Sequence, residues 1–335
     1  GYDITNKSGL ITLFNNKEIT ASPTKTDEWN ITVTLVNYDK DQSENAGKSF
    51  SAKLMIQKGK IKETVATVCS NGQTLSSCII SMDGKDDTLY HHTSSLANGA
   101  GDNSYRYAGA SDSVNNYICL GSDATTCPDA NLFRIIGVFG DQTKVIRAKS
   151  VGYQQWHTSE SNTWSSSSLN AYLNGTYLTS LGTIAEKIAT TTWKVGGGSG
   201  SNISASVPAT AYKNEVGSSA STTIIDKKIG LMYVSDYGFA ASPSAWTTTL
   251  YNYSDNDANG TSIKTINWMY MGDYEWTISP YSSNSNVVFY LDGDGYVDNY
   301  PADFGFGSRP VLYLDASVYK IDGDGSLNNP YIVEM

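Results

Sequence analysis

The run VVFYLDGDGYVDNY, residues 287–300, gathers side chains whose types and spacing suit recognition. Its alternation sorts them onto two faces of a hairpin closed around Gly293 and Asp294. Phe289 and Leu291 share one face of the first strand, with Val288, Tyr290 and Asp292 on the other. On the return strand Tyr296, Asp298 and Tyr300 share a face, and Val297 points the opposite way. One face is thus apolar and predicted to be core, while the other collects tyrosines and acids. Tyr281, Asn284 and Asn286 lead into the hairpin with the same composition. Asp303, Phe304 and Phe306 follow in a glycine-broken segment that is hard to bury as a regular strand, so two exposed phenylalanines are expected. Such a surface is unfavourable unless it binds something. Tyrosine offers large, rigid, amphipathic area with only two rotatable side-chain bonds, and Asn, Ser and Asp add adaptable hydrogen bonds. The competing reading is that these tyrosines are ordinary solvent-side strand residues or pack on a neighbouring loop. The binding reading predicts that Tyr290, Tyr296 and Tyr300 are adjacent and accessible, with Phe304 in the same patch.

Other residues with chemical potential point to structure. His91 and His92 are adjacent, so in a strand they face opposite ways and make a poor chelate, and His157 stands apart. No GxSxG, HExxH or phosphate-cradling loop occurs. Asp273 and Glu275 could serve a glycosidase only at a suitable separation, so an enzyme is not expected. Asp-Gly-Asp-Gly occurs at 292–295 and 322–325. Neither copy carries the distal Glu of an EF-hand, and Asp-Gly favours hairpin turns, so turns are preferred over calcium and no cofactor is expected. The four cysteines form two close pairs, Cys69 with Cys78 and Cys119 with Cys127. Local disulfides in an oxidising compartment explain them better than a four-thiolate zinc site, since neither pair has CxxC spacing, although three connectivities are open.

The elements that must position these residues follow from composition and pattern. The chain has 335 residues with 39% hydrophobic and 17% charged, and its 23 Tyr against 8 Phe favour β-structure with a neutral polar surface. A net charge of -10 and a pI near 4.7 argue against nucleic-acid or anionic-membrane partners. The lysines at 53, 58, 60 and 62 read as a solvated strand face. No apolar run approaches the roughly 20 residues of a membrane span, and the abrupt start at Gly1 is read as that of a processed chain. Residues 10–14, 29–38 and 49–57 are strand-like, suggesting a small β-sandwich or stalk over residues 1–80. In residues 81–335, strands are predicted at 116–120, 131–139 and 143–148, the last two as a hairpin. A helix is predicted from 164 to 181, a shorter one at 184–189, and a loop at 196–201. Strands are predicted at 228–235, 267–270, 275–279, 286–291, 295–298 and 309–314. Helices early and short strands late describe an α+β domain.

The strand Glu275-Trp276-Thr277-Ile278-Ser279, the Tyr/Asn/Ser/Asp hairpin and then Gly307-Ser308-Arg309-Pro310-Val311 resemble, in that order, the C-terminal half of C-type-lectin-like domains of the formylglycine-generating-enzyme type. These occur in bacterial and phage surface proteins. Trp164 with Leu169, Tyr172 and Leu173 fits the helix such domains carry, and the resemblance covers about residues 115–320. It implies a ligand-binding, adhesin-like protein of the cell surface or extracellular space, with a protein or carbohydrate partner. Some members of this fold class are diversified by retroelements that change adenines in the gene, and residues 281–306 resemble such a variable region. Formylglycine-generating enzymes use cysteines in their C-terminal half, and no cysteine follows Cys127, so that activity is not implied. A subunit of a pilus or surface filament is the alternative.

Overall fold

The computed structural model describes residues 69–122, 126–197, 203–217, 220, 223–254 and 262–334. The strands predicted before residue 60 lie outside the described residues. Those described all belong to the unit Glu63–Met335. Its core takes in Cys69, Leu75, Cys78 and Ile79 together with the later strands, so residues 69–80 pack with the domain that was expected to begin at residue 81.

The architecture is α+β, with strands dominant. The strands are β1 (Leu89–His91), β2 (Tyr105–Tyr107), β3 (Tyr117–Cys119), β4 (Leu132–Phe139), β5 (Gln142–Arg147), β6 (Tyr153–Gln155), β7 (Thr191–Lys194), β8 (Ile224–Lys227), β9 (Ile229–Gly230), β10 (Glu275–Pro280), β11 (Val287–Leu291), β12 (Val297–Pro301), β13 (Gly305–Gly307), β14 (Val311–Leu314), β15 (Lys320–Asp322) and β16 (Tyr331–Val333). The larger sheet runs β15-β16-β3-β4-β5-β14-β9, with β2 on β4 and β1 on β2. A five-stranded sheet runs β12-β11-β10-β13-β6, and β7 pairs with β8. The three helices used below are α1 (Leu75–Ile80), α2 (Pro208–Glu215) and α3 (Val234–Ala240).

The predicted β4–β5 hairpin forms, turning at Gly140 with φ +64°. β4 is buried on both faces, including Arg134, whose guanidinium lies 4.2 Å from the Tyr117 ring centre and 4.7 Å from that of Trp268. Its Nε donates to Asn116 Oδ1 and its Nη1 to Ser111 Oγ, both at 2.7 Å, so neutral acceptors replace the water that the buried guanidinium loses. At Gly137 the backbone of β2 comes so close that a Cβ would lie 2.1 Å from the Tyr105 carbonyl oxygen, which requires glycine there. Both cysteine pairs are disulfides, Cys69–Cys78 and Cys119–Cys127. The first ties α1 to the segment before it, and the second ties the end of β3 to the loop entering β4.

The helix predicted at 164–181 is broken at extended Ser167, which separates a 3-10 turn (Trp164–Ser166) from a helix that runs α (Ser168–Tyr172), π (Leu173–Tyr177) and α again (Leu178–Ser180). The wide π turn begins beside Asn174, whose amide clasps β9, donating to Ile229 O at 2.8 Å and accepting from Ile229 N at 3.0 Å. The short helix expected at 184–189 is a 3-10 segment, Gly182–Lys187. The strand predicted over 228–235 shrinks to β9 and gives way to α3. Buried Glu215 accepts from Val234 N and Ser235 N, both at 2.8 Å, and Asp236 accepts from Tyr233 N at 2.9 Å, so carboxylates start that helix. Residues 267–270 are not a strand, because Asn267 turns the chain there, its side chain accepting from Met269 N and donating to Tyr237 O.

Candidate functional site

The five-stranded sheet positions the predicted hairpin. Its register sets Tyr290 opposite Asp298 and Val288 opposite Tyr300, while Leu291 faces Val297. β10 pairs with β11 on the far side, Trp276 opposite Tyr290, and β13 joins β10 in parallel and β6 antiparallel, with Phe306 opposite Gln154. Alternation then places Trp276, Tyr290, Asp298, Tyr300 and Phe306 on one side of the sheet, with Phe289, Leu291 and Val297 in the core behind. The turn is Asp-Gly-Asp-Gly as predicted: Asp292 N donates to Tyr296 O and Gly295 N to Asp292 O, both at 2.8 Å. Gly295 has φ +97°, and a Cβ there would meet Ile263 Cγ2 at 2.3 Å, so the turn admits glycine alone.

The aromatic rings on this side form a layered strip. Trp276, Tyr290 and Phe306 are its floor: the Phe306 ring lies 4.6 Å from Trp276 and 4.8 Å from Tyr290, and the Trp276 indole donates to Gln154 O at 2.8 Å. Above them Tyr274 stacks on Phe306 at 5.4 Å and on Tyr290 at 6.1 Å. Tyr300 stands edge-on to Phe304 at 4.7 Å and touches Phe306 at 5.5 Å. Phe304, Tyr274 and Tyr300 are 50%, 44% and 37% exposed, while Tyr290 and Phe306 are 6% and 9%. Tyr153 on β6 pairs with Gly307 and so leaves the sheet on the side opposite Phe306; it is exposed and donates to Asp273 Oδ1 at 2.6 Å.

Three expectations are corrected here. Tyr290 is buried because β13 brings Phe306 onto it, and for the same reason Phe306 is strand and floor instead of a second exposed phenylalanine. Asp292 is buried too, since it is the anchor of the turn: Oδ1 accepts from Asp294 N at 3.0 Å and Oδ2 from the Tyr290 hydroxyl at 3.3 Å. Burial and then the Asp292 charge raise the Tyr290 phenol above its ordinary range. Tyr296 sits half-buried at the hairpin end against the ring of Tyr251 at 5.8 Å, and burial, followed by Asp292, pushes its phenol up to about 12. Asp298 is half-buried on the strip side, and the Asp303 carbonyl accepts from Gln155 Nε2 at 2.6 Å.

Tyr281, Asn284 and Asn286 are not in the strip. The half-buried Tyr281 ring packs edge-on to Phe289 at 5.4 Å, on the core side of the sheet. Asn284 is exposed and Asn286 half-buried in a loop held by Asn162, whose Nδ2 donates to the carbonyls of Tyr281, Asn284 and Val287 at 3.2, 2.8 and 2.9 Å. Sequence reasoning missed Tyr274. Period 2 sets Tyr274 and Trp276 on one face, but only the non-local neighbours β11 and β13 make that face part of one aromatic surface.

The acids around the strip face no basic neighbour in sequence, since residues 265–308 contain no Lys, Arg or His. Glu275, once a candidate partner of Asp273, is buried in a two-pronged pair with Arg309, at 2.6 and 2.8 Å. Burial raises its carboxyl and the guanidinium opposes that shift. Among the described residues no three His, Cys, Asp or Glu side chains converge as a metal site. The arrangement suits stacking against flat apolar faces and acceptance of hydrogen bonds or positive charge.

No curated protein and no solved structure matches the chain. The family model described as "Domain of unknown function (DUF6273)" matches residues 140–316, which run from the β4–β5 turn past β14 and include the whole aromatic strip. That span is more than half of the 335 residues, and the chain belongs to the DUF6273 family.

Proposed function

We propose that the chain is an exported ligand-binding protein of C-type-lectin-like fold, adhesin-like in role, whose working surface is the strip of Tyr274, Tyr300 and Phe304. The observation that carries this reading is the layering: three well-exposed rings rest on a floor of Trp276, Tyr290 and Phe306 that fixes their positions. Rigid aromatic anchors lose little conformational freedom on binding, which is the usual basis of a recognition hot spot. Two short-range disulfides and a surface of neutral polar residues support an oxidising, extracellular setting. Among the described residues no helix is long and apolar enough to cross a membrane. The ligand is a protein or carbohydrate on another surface, and residues 281–306 are the candidate variable region.

The test is a screen of glycan and extracellular-protein arrays with the full chain and with a Tyr300→Ser/Phe304→Ser variant of equal stability. Ligands bound by the parent and weakened at least about tenfold by the variant support the reading. Equal binding by both proteins, or no binding partner for the parent, counts against it.

A further inference from the structure

Lys144 on β5 is buried to 1% exposure, and its Nζ lies 2.5 Å from Oδ2 of Asp236 on α3, which is 2% exposed. The two residues are 92 apart in sequence. Aromatic rings wall in the amine, with centres at 4.9 Å for Tyr233, 5.3 Å for Phe139, 5.5 Å for Tyr313 and 5.9 Å for Trp193. A cavity of about 40 Å³ adjoins the pair and is also lined by Arg106 and Ser235. That volume accommodates a water molecule.

A buried ion pair in such surroundings is an expensive arrangement, because both charges lose hydration. Burial lowers the Lys144 ammonium toward the neutral, nucleophilic amine, while Asp236 opposes that shift. The carboxyl carbon attached to Oδ2 is within the amine's reach. Two donors face its oxygens: the Tyr233 N–H at 2.9 Å from Oδ2 and Arg106 Nη1 at 3.5 Å from Oδ1. Both are placed to stabilise negative charge that develops on oxygen when an amine adds to the carbon. Glu215, holding Val234 N and Ser235 N, sets the N-terminal turn of α3 and so positions Asp236. Fixed proximity and exclusion of bulk water are the two conditions that favour condensation of an amine with a carboxylic acid.

We propose that Lys144 and Asp236 condense into an intramolecular amide that cross-links β5 to α3. Proton transfer within the ion pair gives the amine and the carboxylic acid. The Nζ–Cγ bond then forms and one Cγ–O bond breaks. The departing oxygen keeps the acid proton, takes one amine proton and leaves as water into the adjoining cavity. Nothing is oxidised or reduced, and no co-reactant is consumed. Arg106 remains paired with Asp102 at 2.6 Å, so removal of the Asp236 charge leaves that guanidinium compensated.

The experiment is intact mass spectrometry of the reduced full chain, followed by tryptic mapping. The cross-link makes the protein lighter than its sequence by one water. It also leaves Lys144 uncut, joining residues 135–147 to residues 229–264 in one branched peptide, which the Lys144→Arg variant lacks. A full sequence mass overturns the proposal. So does a water loss that maps elsewhere, for instance to a succinimide at Asp292-Gly293.

Discussion

Tyr290 and Tyr300 meet edge to face across β11 and β12 with ring centres 5.9 Å apart, yet one is buried and the other is open to solvent. The pair separates scaffold from surface within a single contact. Tyr290→Ala removes a floor ring and is expected to destabilise the fold by about 3–5 kcal/mol, the range for large aromatic-to-Ala changes in cores. Tyr300→Ala is expected to stay within about 1 kcal/mol of the parent while weakening ligand capture. Urea titrations of both variants, alongside binding, check the separation.

The buried pair of Glu275 and Arg309 makes a second prediction. Glu275→Ala leaves a guanidinium that still donates to Met269 O at 2.7 Å but has lost its counter-charge. A loss of about 3–5 kcal/mol is expected, as for other buried pairs broken on one side. Glu275→Gln keeps the shape and part of the hydrogen bonding, and should cost less. Denaturation midpoints at neutral pH report the order.

His92 predicts acid sensitivity. Its Nδ1 accepts from Ala100 N at 3.0 Å, and the ring packs against Phe239 and Trp246. Burial first, and then the Arg106 charge, lower its pKa from 6.5 to about 3. The unfolded chain therefore binds a proton that the folded chain refuses between these values, and stability falls as pH drops through that window. The contribution is of the order of several kcal/mol. Stability measured from pH 7 to pH 4 should fall more steeply for the parent than for His92→Gln, and parallel slopes would refute the assignment.

Asn162 predicts a local effect. Asn162→Ala removes the shared donor to three carbonyls and is expected to cost about 1–2 kcal/mol. Hydrogen exchange and protease cleavage should rise within residues 281–287, while the aromatic strip keeps its protection. Uniform protection across that loop would show that other contacts hold it.

The hairpin was legible because every signal for it is local: period-2 alternation, a glycine-bearing turn and strands adjacent in sequence. Both disulfides and the β4–β5 hairpin were legible on the same grounds. Burial of Tyr290 was not, because it depends on β13 pairing with β6, whose residues lie some 150 positions earlier. Residues 303–307 look irregular until β10 and β6 flank them. The first two residues of α3, Val234 and Ser235, were read as the end of a strand and the rest of the helix was not recognised, because Val234 to Ala240 are all inaccessible and a helix without a polar face has no amphipathic period to detect. The strand face carrying the acids was readable, while the side from which other rings would cover it was not.

Asn162 holds the 281–287 loop through carbonyl oxygens alone, and every amino acid supplies one. The path of the loop is thereby uncoupled from the identity of its exposed side chains, so Ser282, Ser283, Asn284 and Ser285 can be exchanged without disturbing the clamp. Evolution can rewrite that stretch residue by residue while the neighbouring strands stay in register.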